Sequence, residues 1–144
     1  MIVQQILGMK PKSGVTTISP TSTLAEAVEL LSAHRIGAVV VSTDGRHVSG
    51  ILSERDVVRE LGRHGPSCLT SHVERVMTAK IISCSPVESA NDVLQKMTDG
   101  RFRHMPVMEG EEMVGLISIG DVVKARLSEL SMEKDALEGM IKGF

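Results

Sequence analysis

The chain is written twice. Gly50-Ile51-Leu52-Ser53-Glu54-Arg55-Asp56-Val57-Val58 returns as Gly115-Leu116-Ile117-Ser118-Ile119-Gly120-Asp121-Val122-Val123, an offset of 65. Upstream, Ile18-Ser19-Pro20 matches Cys84-Ser85-Pro86 at an offset of 66. One residue is therefore lost in the hairpin between, around Ser42–Gly45 against Met108–Gly110. A repeat at fixed spacing restricts the fold to copies of one supersecondary unit. Each copy of about 60 residues buries too little surface to be robust alone. Two copies packed sheet to sheet, with pseudo-two-fold symmetry, would share a core and leave clefts where small ligands bind.

Each copy reads as βαββα, an α/β (α+β) class. A short extended piece ends at Pro20 or Pro86, since proline disfavours helix before it and suits a helix start after it. An amphipathic helix follows. Its apolar residues are Leu24, Ala27, Val28 and Leu31 in copy one, and Ala90, Val93, Leu94 and Met97 in copy two, the spacing of one buried face. Thr23 to Glu26 is a capping box, and Ser89 to Asp92 a weaker one. Strands are expected at Ala38–Val41 and Val48–Leu52, and at Met105–Met108 and Val114–Ile117, with turns at Asp44-Gly45 and Glu109-Gly110. Second helices start at Ser53 and Ser118. The first is expected to stop near Leu61-Gly62, where glycine can close it. The Gly65-Pro66 stretch reads as a linker.

Composition excludes several classes. The chain is 42% hydrophobic with a net charge of -2, so no broad basic surface argues for nucleic acid. Trp and Tyr are absent, which removes the stacking platforms single strands use. The N-terminus lacks a basic lead and reads as a helix or arm rather than a signal peptide. No run reaches the ~18 apolar residues of a membrane span. Cys68 and Cys84 form no CxxC pair, which suits a reducing cytoplasm. No histidine makes a metal spacing, so no metal site is expected. No nucleophile–base order or Gly-rich phosphate loop stands out, so the chain is not expected to be an enzyme.

The ordered pair of motifs resembles a tandem CBS-domain pair (a Bateman module). The matching residues are Thr17-Ile18-Ser19-Pro20 and Ser83-Cys84-Ser85-Pro86, Gly50 to Asp56 and Gly115 to Asp121, and Arg101-Phe102-Arg103-His104-Met105-Pro106-Val107. The resemblance divides the chain into repeat one (3–62), a linker (63–72), repeat two (73–128) and a helical tail (129–144). It implies regulatory binding of AMP, ADP or ATP, or of NAD or S-adenosylmethionine, with no required cofactor. It also implies a homodimer and a regulated partner protein that the residues do not name. This chain resembles the stand-alone bacterial pairs. The alternative is a ligand-free structural or protein-interaction dimer.

The resemblance assigns Asp56 and Asp121 to ribose and Ser53 and Ser118 to phosphate or ribose. The chemistry fits. A carboxylate accepts both vicinal hydroxyl protons, and a helix N-terminus favours phosphate. Ser-x-x-Asp is equally a helix capping box, and both roles can hold. Aliphatic walls at Ala38, Val39 and Val40, and at Met105, Pro106 and Val107, would flank the base, with backbone beside Thr17 and Ser83 reading its edge. For most of those side chains plain core packing is the competing reading. Arg101, Arg103 and His104 align with Arg35, Gly37 and Ala38, so copy two carries more charge toward phosphate. The sites are expected to be unequal. In the tail, Val123, Leu127, Leu130, Leu137 and Ile141 make a heptad stripe that suits a dimer contact or an amphipathic helix on its own domain.

Overall fold

The computed structural model describes residues 1–10 and 14–143. The expected first repeat includes residues 11–13 and the expected tail ends at 144; these positions lie outside the described residues. A short helix, α1 (Val3–Gly8), leads the chain. The first repeat then follows as β1 (Thr17–Ile18), α2 (Leu24–His34), β2 (Ala38–Val41), β3 (Gly50–Ser53) and α3 (Glu54–His64). Its sheet has the order β1-β2-β3. β1 runs parallel to β2 with Thr17 opposite Val40, and β2 runs antiparallel to β3 with Val39 opposite Leu52. Leu24, Ala27 and Leu31 of α2 pack with Val39, Val41, Leu52 and Val57 in one buried cluster. Thr23 caps α2, accepting the Glu26 N–H at 3.2 Å.

The second repeat contains α4 (Ala90–Gly100), β4 (His104–Glu109), β5 (Glu112–Ser118) and α5 (Ile119–Ile141). Its first strand shrinks to one parallel bridge, Cys84 with Val107. The Cys84 N–H donates to the Pro106 carbonyl at 3.0 Å. Ala90, Val93 and Met97 of α4 bury against Met105, Val107, Ile117, Val122 and Ala125. Burial pushes the Cys84 thiol up to about 11, with the Glu88 charge adding to the effect. It is a core residue, and both cysteines are free.

Two boundaries of the first repeat differ from expectation. α3 runs through Gly62 to His64 and is closed by Gly65 at φ 71, with Pro66 next. A single glycine is tolerated inside a helix that packs, whereas proline bars the residue before it from helical backbone. Within the expected linker, Gly65–Thr70 forms a 3-10 turn that buries Cys68, and a second such turn, Val73–Arg75, opens the expected second repeat and buries Val73. The second strand of repeat one starts at Gly50 rather than Val48, because Asp44 and Ser42 draw the turn residues into their own hydrogen bonds.

The chain divides into two compact units that do not follow the order of the repeats. One holds residues 14–82 with the hairpin tip 108–114; there the Met113 N–H donates to the Arg46 carbonyl at 2.7 Å. The other holds residues 1–10, 83–107 and 115–143. α1 belongs to this second unit. Val3 and Ile6 are buried in its core. The Val3 N–H reaches the Glu88 carbonyl at 2.9 Å, and the Met1 ammonium pairs with Glu129 at 2.9 Å.

α5 is 23 residues long, about 35 Å at the usual rise. The expected stripe faces outward, with Leu127 at 62%, Leu137 at 59% and Ile141 at 85% exposure. Only Val122 and Ala125 of this helix are buried.

Gly50 packs against the chain that enters the second repeat. A Cβ there would lie 2.9 Å from the Thr78 carbonyl oxygen and closer still to the Met77 sulfur. The Thr78 oxygen cannot retreat, since it accepts the Ile51 N–H at 3.0 Å. Gly50→Ala should therefore lower stability by about 1–3 kcal/mol, read from thermal unfolding by circular dichroism.

Candidate nucleotide site

Both candidate carboxylates sit where a strand turns into a helix. In the first repeat the Ser53 N–H donates to Asp56 Oδ2 at 2.9 Å, and the Asp56 N–H returns to Ser53 Oγ at 3.4 Å. In the second repeat the Ser118 N–H donates to Asp121 Oδ2 at 2.9 Å, and the Asp121 N–H returns to Ser118 Oγ at 3.1 Å. The capping reading of Ser-x-x-Asp thus holds in both copies. The next N–H is used in the same way in each. Glu54 N–H donates to the Gly37 carbonyl at 3.0 Å, and Ile119 N–H to the Arg103 carbonyl at 2.8 Å. That bond brings Arg103 beside Ser118 and Asp121 in one unit, with its side chain exposed. Gly37 holds the matching place in the first repeat, so the expected charge difference survives folding.

The two carboxylates differ in their surroundings. Asp56 is nearly sealed, its side chain 6% exposed, and its Oδ1 accepts from Arg59 Nη2 at 2.5 Å. Its Oδ2 also accepts the Ser53 hydroxyl at 3.1 Å. Asp121 is 24% exposed and pairs with Lys10, whose Nζ lies 2.8 Å from Oδ2. Lys10 Nζ also donates to the Leu116 carbonyl at 2.8 Å. Burial alone pushes the Asp121 carboxyl up. The Lys10 hydrogen bond, the Ser118 N–H and the Lys10 charge together outweigh it and hold the group below its ordinary value. Asp121 is thus an anion at neutral pH.

The remaining candidates divide between core and surface. Val39, Met105 and Val107 are fully buried members of the two cores, so their side chains serve packing. Ala38 and Val40 are also buried, and Pro106 lends its carbonyl to Cys84. Thr17 is half-buried at the sheet edge, and Ser83 is exposed. His104 opens β4, half-buried. Arg35 is exposed and lines a groove of about 410 Å³ with Val28, Ile36 and Val58; neither Ser53 nor Asp56 is among its lining residues. Arg35 and Arg101 occupy matching helix ends at φ 53 and 55, a left-handed conformation usually left to glycine.

Two cations escaped the sequence reading. Arg59 was legible in principle, lying three residues after Asp56 on one helix face. Lys10 had no such signal, since 111 residues separate it from Asp121. Among the described residues no cluster of His, Cys, Asp or Glu could hold a metal ion, and no helix is long and apolar enough to cross a membrane.

Comparison with known proteins decides the family. The CBS domain model matches residues 3–63 and again 73–128. The chain belongs to the CBS domain family. A mitochondrial CBS domain-containing protein of Arabidopsis thaliana is 37% identical over 125 residues, 84% of this chain; the match spans 61% of the relative's own length. A CBS-domain protein of Agrobacterium tumefaciens superposes with a TM-score of 0.82 at 40% identity, covering 88% of this chain and 99% of its own. A protein with CBS domains from Burkholderia ambifaria gives 0.82 at 38% identity, covering 89% and 95%. Two more distant CBS structures share the fold at TM-score 0.77. The one from Pyrobaculum aerophilum, 22% identical, is complexed with AMP. The other, a CBS pair 20% identical, holds 5′-methylthioadenosine and S-adenosylmethionine.

Proposed function

We propose that this CBS pair is a regulatory module that binds an adenine nucleotide and modulates a partner protein, without catalysis of its own. One observation carries the reading. Each repeat holds a carboxylate at a helix N-terminus, fixed by a serine cap, and in the second repeat Lys10 adds positive charge beside it while the backbone of the exposed Arg103 joins the same corner. Such a carboxylate accepts ribose hydroxyls, and the positive end of the helix and the arginine favour phosphate. That distant family members hold adenine compounds supports the same ligand class. AMP, ADP and ATP are the first candidates, with NAD and S-adenosylmethionine next. A reducing cytoplasm suits two free cysteines. The regulated partner is to be sought by the ligand dependence of its binding, since a nucleotide shifts an equilibrium only by preferring one state.

The chain acts as a homodimer in this proposal, and the outward stripe of α5 supplies one contact. Val123, Leu127, Leu130, Leu137 and Ile141 stand exposed at alternating spacings of four and three, with Lys134 in the gap. An isolated helical end of that length is marginal in water. Truncation after Leu130 should weaken the dimer, measured by sedimentation at low micromolar concentration; an unchanged distribution would remove α5 from the interface.

The central experiment is thermal unfolding against AMP, ADP, ATP, NAD, S-adenosylmethionine and GTP, on protein first freed of nucleotide. A ligand at 100 times its Kd adds about 2.7 kcal/mol, a rise of several degrees. A rise with adenine ligands and not with GTP is expected. No rise with any of them favours the ligand-free interaction dimer. Asp121→Ala should weaken the active nucleotide about tenfold or more, as loss of a charged hydrogen-bond acceptor does, with the melting curve still cooperative.

A further inference from the structure

We infer that Lys10 is a ligand-positioning residue that, with Asp121, makes a donor–acceptor pair for the vicinal hydroxyls of ribose, so that the second repeat and not the first receives the sugar. The inference rests on the nucleotide reading above and adds a residue and an asymmetry to it.

The arm that carries Lys10 is held firmly. Val3 and Ile6 of α1 are buried beside Ile117 and Val122. Leu7 lies against Gly115, where an added Cβ would come within 2.8 Å of its Cδ2. The absent side chain at Gly115 therefore lets α1 approach β5. Three residues beyond Leu7, the Lys10 ammonium spans the Leu116 carbonyl and Asp121 Oδ2, at 2.8 Å each.

Valence then decides what the pair can offer. An ammonium has three N–H donors, and two are in use, so one is left. Asp121 Oδ2 already accepts from both Ser118 N–H and Lys10. The Ser118 hydroxyl also hydrogen-bonds the carboxylate, and the Ser118 N–H and Lys10 bonds both fall on Oδ2, which leaves Oδ1 as the open oxygen. A lone carboxylate would bind a diol by accepting from both hydroxyls. Here only one oxygen is open, and a donor stands beside it. One ribose hydroxyl donates to Oδ1, and the neighbouring hydroxyl oxygen accepts the third N–H of Lys10. The charge of Lys10 also offsets the carboxylate as the phosphate arrives.

The first repeat lacks this arrangement although it has the same parts. Met77-Thr78 packs on Gly50 much as Leu7 packs on Gly115, and Lys80 follows Met77 by three residues. Yet Lys80 is exposed, and Arg59 closes Asp56 Oδ1. With three of its four acceptor sites engaged and its side chain only 6% exposed, Asp56 is closed to a sugar chiefly by burial. The counterpart of Arg59 is Lys124, which is exposed and leaves Asp121 to Lys10.

The test is calorimetric titration of the full chain with AMP, 2′-deoxy-AMP and 3′-deoxy-AMP. Wild type should prefer AMP over both analogues. Lys10→Met should weaken AMP about tenfold, the worth of one charged hydrogen bond, and should abolish the preference over one of the two analogues. Lys10→Arg should restore part of that preference, which a merely structural lysine would not do. Arg59→Met should leave AMP affinity within about twofold, well under the tenfold that one hydrogen bond to a charged group is worth. Equal or tighter AMP binding by Lys10→Met, with the hydroxyl preference intact, overturns the inference and makes Lys10 a counter-ion that the ligand must displace. If Lys10→Met melts before it can be titrated, Lys10→Gln takes its place, with the same expected loss of preference. If wild type binds none of the three while remaining folded, the nucleotide reading itself fails, and this inference with it.

Discussion

The reciprocal bond between a serine and the aspartate three residues later organises each half of this protein. It ends a strand and starts a helix in a single step. The serine hydroxyl satisfies an N–H that the helix leaves free, and the aspartate satisfies the serine's own N–H. The following N–H is spent on the carbonyl just before the hairpin, at Gly37 or Arg103. Three backbone groups are thereby tied at one corner, and strand, helix and hairpin keep a common origin. Each cap contributes about 1 kcal/mol, so its importance lies in geometry as much as in energy. Because the cap uses a carboxylate, it also leaves an anion at the positive end of a helix, close to its N–H groups.

One motif in two environments then yields two different groups. Asp56 is buried and tied to Arg59 on its own helix, so it behaves as a structural cap. Asp121 remains partly open and is tied to an ammonium from the far end of the chain. Arg103 stands at the second corner where the first has Gly37. A duplicated unit can therefore keep its fold in both copies while only one copy keeps a partly exposed carboxylate. Partners and exposure together produce the difference, since Asp56 is buried with three hydrogen bonds while Asp121 is partly exposed with Oδ1 open.

Much of the framework was legible before the structure. The apolar spacings of α2 and α4 predicted their buried faces, and Thr23, Ser53, Ser89 and Ser118 marked the starts of α2, α3, α4 and α5. These signals act within a few residues, where backbone geometry leaves few choices. Ends were less legible. Gly62 looked like a stop but sits inside α3, because packing outweighs the small helix penalty of one glycine; Gly65-Pro66 supplies the real stop. The segment between the repeats is itself ordered, since Cys68 gains by burial there. Of the candidate site, the two Ser–Asp corners and Arg103 were visible, whereas Lys10 was not.

The sequence by itself determined that there are two copies of one unit, where their helices begin, which faces are apolar, and that each copy carries a capping aspartate. All of these follow from contacts between residues three or four apart or from a repeat that can be read directly. The tertiary structure alone decided that α1 joins the second repeat, that the hairpin tip 108–114 joins the first, and that Lys10 rather than Lys124 engages Asp121. Both repeats contain one cation on the helix and one on the entering arm, so composition could not choose between them. The choice depends on where a buried helix delivers its last side chain, and that is settled only when Val3 and Ile6 find the core.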